Sequence, residues 1–315
     1  MKKYFYTFFW CFSVFSISAQ SSNEVGKIAL SIVIPDNIEG LNSSNLSKLE
    51  TKIIQLVTQS GLAANGYSSN FIIYPKLAIY DDKFVEGGME DIFMLNCELT
   101  LILKQLDNNV IYSTSVTKLK GSGVDKQIAF NNAISKINSN SKEFVTFIET
   151  GKQKIIDYYN LKCQDIITKS ESLVKMQDYE GAIGLLMTVP EEVSCYNKIQ
   201  QKTIEAYKAY QNQKCSTQLQ EAKTTLAKNY YKDALDILSQ IDPSTKCYKE
   251  VEALIKKAEE KVDAKAKTQF AVRMKMYNDS IALEKQRIQA AKEIAVEYYR
   301  NQPKPAPNNY LMIIK

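Results

Sequence analysis

The most specific spacing in the chain belongs to four cysteines. Cys163 and Cys195 lie 32 residues apart, as do Cys215 and Cys247, and the second pair starts 52 residues after the first. Each pair opens with Lys-Cys and closes with Cys-Tyr. Thiols so placed could ligate zinc, exchange electrons or form disulfides. A four-cysteine zinc site needs close pairs such as Cys-x-x-Cys, and the chain has none. Redox catalysis is disfavoured for the same reason. Structural disulfides are the expectation. Cys97 is left over, in phase with the leucines of "MLNCELTLIL", and is expected to be a buried apolar filler.

The chain contains no histidine. Ser-His-Asp and Cys-His catalysis and His-ligated metals are therefore excluded, and no cofactor motif takes their place. Carboxylates are plentiful, but none are paired by a motif. Asp81, Asp82, Glu86, Glu90 and Asp91 in "YDDKFVEGGMED" lack EF-hand spacing and read as a solvated loop. "GSG" at 121–123 could cradle an anion, or could simply turn the chain into a helix capped by Asp125. It lacks the Gly-Lys-Ser/Thr ending of a nucleotide loop.

The chain is 315 residues long, with 40 basic and 35 acidic residues. Residues 1–19 read as a signal peptide: Lys2 and Lys3, an apolar run to about Ile17, then Ser18-Ala19. The run is shorter than the roughly 20 residues of a spanning helix, which favours export over anchoring. Cys11 is not preceded by the small pair of a lipidation site. Removing the leader takes two charges from a net of +5. Little attraction for nucleic acid is expected. A soluble periplasmic or extracellular product without a membrane span is expected, in a compartment where disulfides persist.

The elements that position these residues fall into an α+β arrangement. Residues 24–140 read β-α-β-β-β-α. "KIALSIVIP" alternates apolar residues and stops at Pro35. A helix capped by Ser43 or Ser44 follows, with Leu46, Leu49, Ile53, Leu56 and Val57 inward and Gly61 at its exit. "NFIIYPKLAIYDDKFV", "MLNCELTLIL" and "VIYSTSVTKLKG" are strands, with Pro75 at an edge or bulge and a turn at 107–109. The last helix places Ile128, Ala129, Ala133, Ile134 and Ile137 inward. Helices on one face of a mostly antiparallel sheet follow from this order. The order, with "KGSGVDKQIAFNNAI" leading into its helix, resembles a fold family of bacterial envelope proteins. That family includes the amino-terminal domain of TolB, the curli secretion channel and lipoprotein activators of penicillin-binding proteins. The resemblance implies a docking module rather than an enzyme.

From Ser141 the strand signals end. An offset of 52 aligns Asn160 with Asn212, Cys163 with Cys215, Tyr179 with Tyr231, Ala182 with Ala234 and Cys195 with Cys247, without a gap. "MQDYEGAIGLL" and "KNYYKDALDIL" resemble the turn of tetratricopeptide repeats, although the period is longer and Pro190 and Pro243 are shifted. The resemblance implies two helical repeats over 141–258. Uninterrupted stretches predict long helices over 141–176 and from Cys195 to Asn229, the latter about 50 Å long, each followed by a short return helix. A third is expected from Tyr248 to Arg300, with 259–300 as its distal part. Its seam of Phe270, Met274, Tyr277, Ile281, Ile288, Ala291, Ala295 and Tyr298 packs on its own domain or on a second copy.

Helix geometry then selects the cysteine pairing. A short return helix and loop bring Cys195 level with Cys163, and Cys247 level with Cys215. Cys195 and Cys215 would be about 30 Å apart on one helix.

Residues 301–315 read as a Pro-rich linker and an apolar tail, "YLMIIK", which could add a strand to the sheet or to a partner. The expected function is an exported, non-enzymatic adaptor whose repeats bind a protein or peptide in the envelope. Its candidate contact residues are Tyr207 and Tyr210 in "YKAYQ" and Tyr230 and Tyr231 in "NYYK". The alternative is a glycan-binding protein or a hydrolase using two carboxylates in a cleft.

Overall fold

A computed structural model describes residues 26–64, 70–86, 91–281 and 284–302. The leader at 1–19 and the apolar tail at 303–315 lie outside the described residues. The order is β1 (Leu30–Ile32), α1 (Ser43–Gln59), β2 (Phe71–Val85), β3 (Ile92–Gln105), β4 (Ile111–Gly123) and α2 (Lys126–Ser135). Seven helices follow: α3 (Lys142–Lys175), α4 (Tyr179–Met187), α5 (Tyr196–Ala227), α6 (Tyr231–Leu238), α7 (Tyr248–Glu259), α8 (Ala264–Ile281) and α9 (Glu284–Asn301). The chain is α+β.

The sheet order is β1-β2-β3-β4, with β1 parallel to β2 and the rest antiparallel. β1 is shorter than the alternation in "KIALSIVIP" predicts. Pro35 has no N–H to donate, and pairing with β2 ends with Val33 N–H donating to Ile73 O. β2 runs to Val85, the end of the strand stretch "NFIIYPKLAIYDDKFV", so Asp81 and Asp82 lie on a strand rather than in the solvated loop read over "YDDKFVEGGMED", of which Glu90 lies outside the described residues. Asp82 pairs with Lys126 at 2.8 Å. Pro75 lies beyond the reach of β1, on a stretch of β2 paired only with β3, and the register slips between Ile79 and Asp81.

Alternation in β3 buries Phe93, Leu95, Cys97, Leu99, Leu101 and Leu103. α1 lays its predicted stripe on this layer, but its cap is Asn42, whose side chain accepts from Asn45 N–H, rather than Ser43 or Ser44. Gly61 takes the left-handed exit with φ +71°. α2 is capped by Asp125 as predicted. Its inward phase differs: Phe130 is fully buried, while Ile128 is 46% exposed. Gly121 and Gly123 belong to β4, and a Cβ on either would strike α2. They permit close helix–strand approach and do not form an anion loop.

α3 and α5 are the two predicted long helices, 34 and 32 residues in length. The third long helix is cut. Residues 260–263 break it, and the Asp263 carboxylate accepts from Ala266 N–H to cap α8. The break lets the chain fold back onto itself. Phe270 of α8 is buried against the second repeat, and Ala291 and Ala295 of α9 join the main core, with α9 packed along α4 and α5. The described part of the expected seam is thus divided between two intramolecular contacts, and the side chains of Tyr277 and Ile281 lie outside the described residues.

One apolar core runs from the sheet through α3, α4 and the first half of α5 to α9. It does not part at residue 141. The second repeat forms two small separate clusters, around Cys215 and Leu238 and around Ala234 and Phe270. The first repeat is therefore fused to the sheet, and the second projects as an arm.

Candidate functional site

The repeats are best compared position by position. Cys163 bonds Cys195 and Cys215 bonds Cys247, with Cα–Cα distances of 6.6 and 6.4 Å. Both pairings are those predicted from helix lengths. Each closes a 32-residue separation, which in a chain-entropy treatment stabilises by about 3–4 kcal/mol. Cys97 is a buried free thiol, its pKa pushed up to about 11 by desolvation.

The long helices end alike. Gln177 and Asn229, 52 positions apart, hold φ of 65° and 63°. In each case the next N–H reaches back to complete a left-handed helix stop: Asp178 to Leu173 O at 2.9 Å, Tyr230 to Thr225 O at 3.1 Å. Asp178 and Tyr230 then share one backbone conformation, φ −86°, ψ 71° and φ −88°, ψ 67°.

Their side chains differ. The Asp178 carboxylate accepts from Gly181 N–H at 3.0 Å and caps α4. Tyr230 makes no side-chain cap to α6, and the residue is 59% exposed. An Asp or Asn at such a position is worth about 1 kcal/mol over an uncapped residue. The second repeat forgoes that stabilisation and presents an aromatic ring. Lys228 and Lys232 flank it, both exposed and, among the described residues, in no ion pair within 4.0 Å.

The other three candidate tyrosines are engaged within the fold. Tyr207 is only 5% exposed, wedged where α5 meets α9 and the loop after α6. Burial first, then the charge of Asp242, pushes its hydroxyl up to about 12. It is a core residue and offers no contact surface. The periodicity of α5 could have marked it, since Thr203, Ala206 and Tyr207 share the buried stripe. Tyr210 is half-buried. Its hydroxyl donates to Glu180 at 2.8 Å, its ring meets Tyr179 at 6.2 Å, and the Lys214 ammonium lies 4.9 Å from its centroid. It joins α5 to α4, and burial followed by the Glu180 bond pushes its hydroxyl to about 12. Tyr231 donates to Asn229 at 2.8 Å and packs on the arm's core. The structure leaves Tyr230 as the one of the four with a free ring.

Neither of two grooves among the described residues brings two carboxylates together. One groove, about 380 Å3 between α1 and α3, holds Glu149 beside Lys152. Another, about 710 Å3 between β4 and α3, holds Glu143 between Lys142 and Lys154. Asp107 is raised by desolvation, with an opposing hydrogen bond from Asn70 and no acid among the causes. Among the described residues no three His, Cys, Asp or Glu side chains gather around a common metal position.

The sequence pattern pointed to the tyrosines but not to the cap exchange, which needs the matched backbone angles. It also missed Gly184, against which Tyr298 packs and whose carbonyl accepts from the Tyr299 hydroxyl at 3.1 Å. The small residues of "GAIG" opposite the alanines of α9 were the available signal.

Among the described residues, no helix is long and apolar enough to cross a membrane. The chain matches no protein-family model and no curated protein. Among solved structures it is similar to a Caulobacter crescentus protein provisionally described as a lipoprotein, with 11% identity, a TM-score of 0.23, and coverage of 39% of this chain and 82% of that one.

Proposed function

We propose that the protein is an extracytoplasmic adaptor that binds a protein partner through the arm formed by its second tetratricopeptide-like repeat. Two disulfides joining helices support an oxidising compartment. The observation that carries the binding reading is the exchange of a capping aspartate for an exposed tyrosine at equivalent positions, Asp178 and Tyr230. Aromatic rings fit as interface anchors because they offer large contact area for little lost conformational freedom. Lys228 and Lys232 on either side favour a partner with an apolar pocket and an acidic rim.

The test is a pull-down from envelope extracts with the oxidised chain and its Tyr230→Ser variant. A partner retained by the parent and lost by the variant supports the reading. Equal recovery of every retained protein on both chains refutes it.

A further inference from the structure

A second surface lies along the edge of the sheet. β4 is the last strand of the sheet. The groove of about 710 Å3 beside it is lined by residues 113–116 of β4 and by Lys142, Thr146, Thr150 and Lys154 of α3. Four consecutive strand residues line it, so it follows the strand's edge, since alternate residues would mark only one face.

That edge carries unpaired backbone. Among the described residues the one bond from the β4 main chain to a group outside its ladder is Lys120 C=O accepting from Lys136 Nζ at 2.8 Å. Lys120 C=O therefore points off the sheet. The register from Ser113 to Gly123 is unbroken, so the two-residue period points the N–H and C=O of Lys118, Val116 and Thr114 the same way.

The opposite wall is a helical row at four-residue spacing, with a lysine at each end. Lys142 and Lys154 are exposed and, among the described residues, make no ion pair or hydrogen bond. Glu143 between them accepts from Ser115 Oγ at 3.4 Å. The two lysines are about 18 Å apart along the helix, the span of about five or six residues of extended chain.

We propose that this groove takes an extended segment of a partner polypeptide, which adds to the sheet at β4 and carries two carboxylates six residues apart, and so on one face of the strand, to meet Lys142 and Lys154. Backbone pairing to Thr114, Val116 and Lys118 supplies attachment, and the lysines select the acidic segment and its register. This surface is separate from Tyr230, so either reading can fail without the other.

The experiment titrates the oxidised full chain into fluorescein-labelled Asp-Thr-Val-Thr-Val-Thr-Asp, whose two carboxylates share one face of an extended strand, and reads fluorescence anisotropy. Saturable binding is expected. Lys142→Glu with Lys154→Glu should weaken it by about tenfold or more. Val116→Pro removes an N–H that the ladder does not use, so it should abolish binding while leaving the melting temperature unchanged. A peptide N-methylated at alternate amides, which cannot pair with the strand, should not bind. The proposal is overturned by any of three results: no saturable binding, equal binding by Val116→Pro or by the N-methylated peptide, or light scattering that shows the β4 edge already joined to a second copy.

Discussion

Asn160 and Asn212, 52 positions apart, do the same work in the two repeats. The Asn160 side chain accepts from Ser194 N–H at 3.0 Å, and that of Asn212 from Lys246 N–H at 2.9 Å. Each asparagine lies one helical turn before the first cysteine of its repeat and holds the residue just before the second. The joint where each loop returns to its long helix is thus fastened twice, by an amide oxygen and by a disulfide. Asn160→Ala and Asn212→Ala should each cost about 1 kcal/mol in urea denaturation. Asparagine→aspartate keeps the acceptor and should cost less.

The two disulfides should differ in consequence. Cys163–Cys195 is anchored in the main core, whereas Cys215–Cys247 closes an arm with few buried side chains. Replacing Cys215 and Cys247 by serine should unfold the arm alone, read as lost amide-exchange protection in the second half of α5, α6 and α7 with the sheet still protected. The Cys163/Cys195 double serine variant should instead lower global stability by about 3–4 kcal/mol. Equal, whole-chain unfolding from both would contradict the division of the core.

Gly151 lies mid-helix in α3, where a Cβ would overlap the Leu103 side chain and the Ser113 hydroxyl. Gly151→Ala gains about 1 kcal/mol of helix propensity but overpacks a buried crossing at about 1–3 kcal/mol. A net loss of stability is expected, measured by thermal melting. A gain would show that α3 does not press on β3 and β4 there.

The order of elements along the chain and both cysteine pairings are legible in the sequence because they rest on local patterns. Period-two alternation marks β3, and uninterrupted stretches of counted length bring Cys195 level with Cys163. The failures were tertiary. The periodicity of α5 points Tyr207 inward, but what covers it is α9, which returns from far along the chain. The third helix was read as continuous because Asp263 is an ordinary residue until its carboxylate caps α8. The meaning of Tyr230 required both the repeat alignment and the backbone angles that equate it with Asp178.

Alkaline stability should fall steeply. Burial raises the hydroxyls of Tyr112 and Tyr159, and pushes that of Tyr207 to about 12, against an ordinary value of 10.0. Tyr112 and Tyr159 are also tied through Gln105, at 2.6 and 3.1 Å. Below pH 10 both folded and unfolded chains hold these protons, and the stabilisation is fully present. Above it the unfolded chain releases them first, so stability declines by about 1.4 kcal/mol per pH unit for each such tyrosine until its folded value is reached. Phenolate absorbance should show a group of tyrosines that ionises only as the far-ultraviolet helix signal collapses. Full ionisation with that signal intact would contradict their burial.

The central claim is that Tyr230 is kept for contact at a cost to its own helix, and the substitution Tyr230→Asp tests it most directly. The backbone at 230 matches that at Asp178, so aspartate should cap α6 and stabilise the chain by about 1 kcal/mol. The measurement is partner retention from envelope extract alongside urea denaturation of the same variant. The account predicts higher stability and a lost partner. Retention of every partner by the stabilised variant would show that the exposed ring is not a binding anchor.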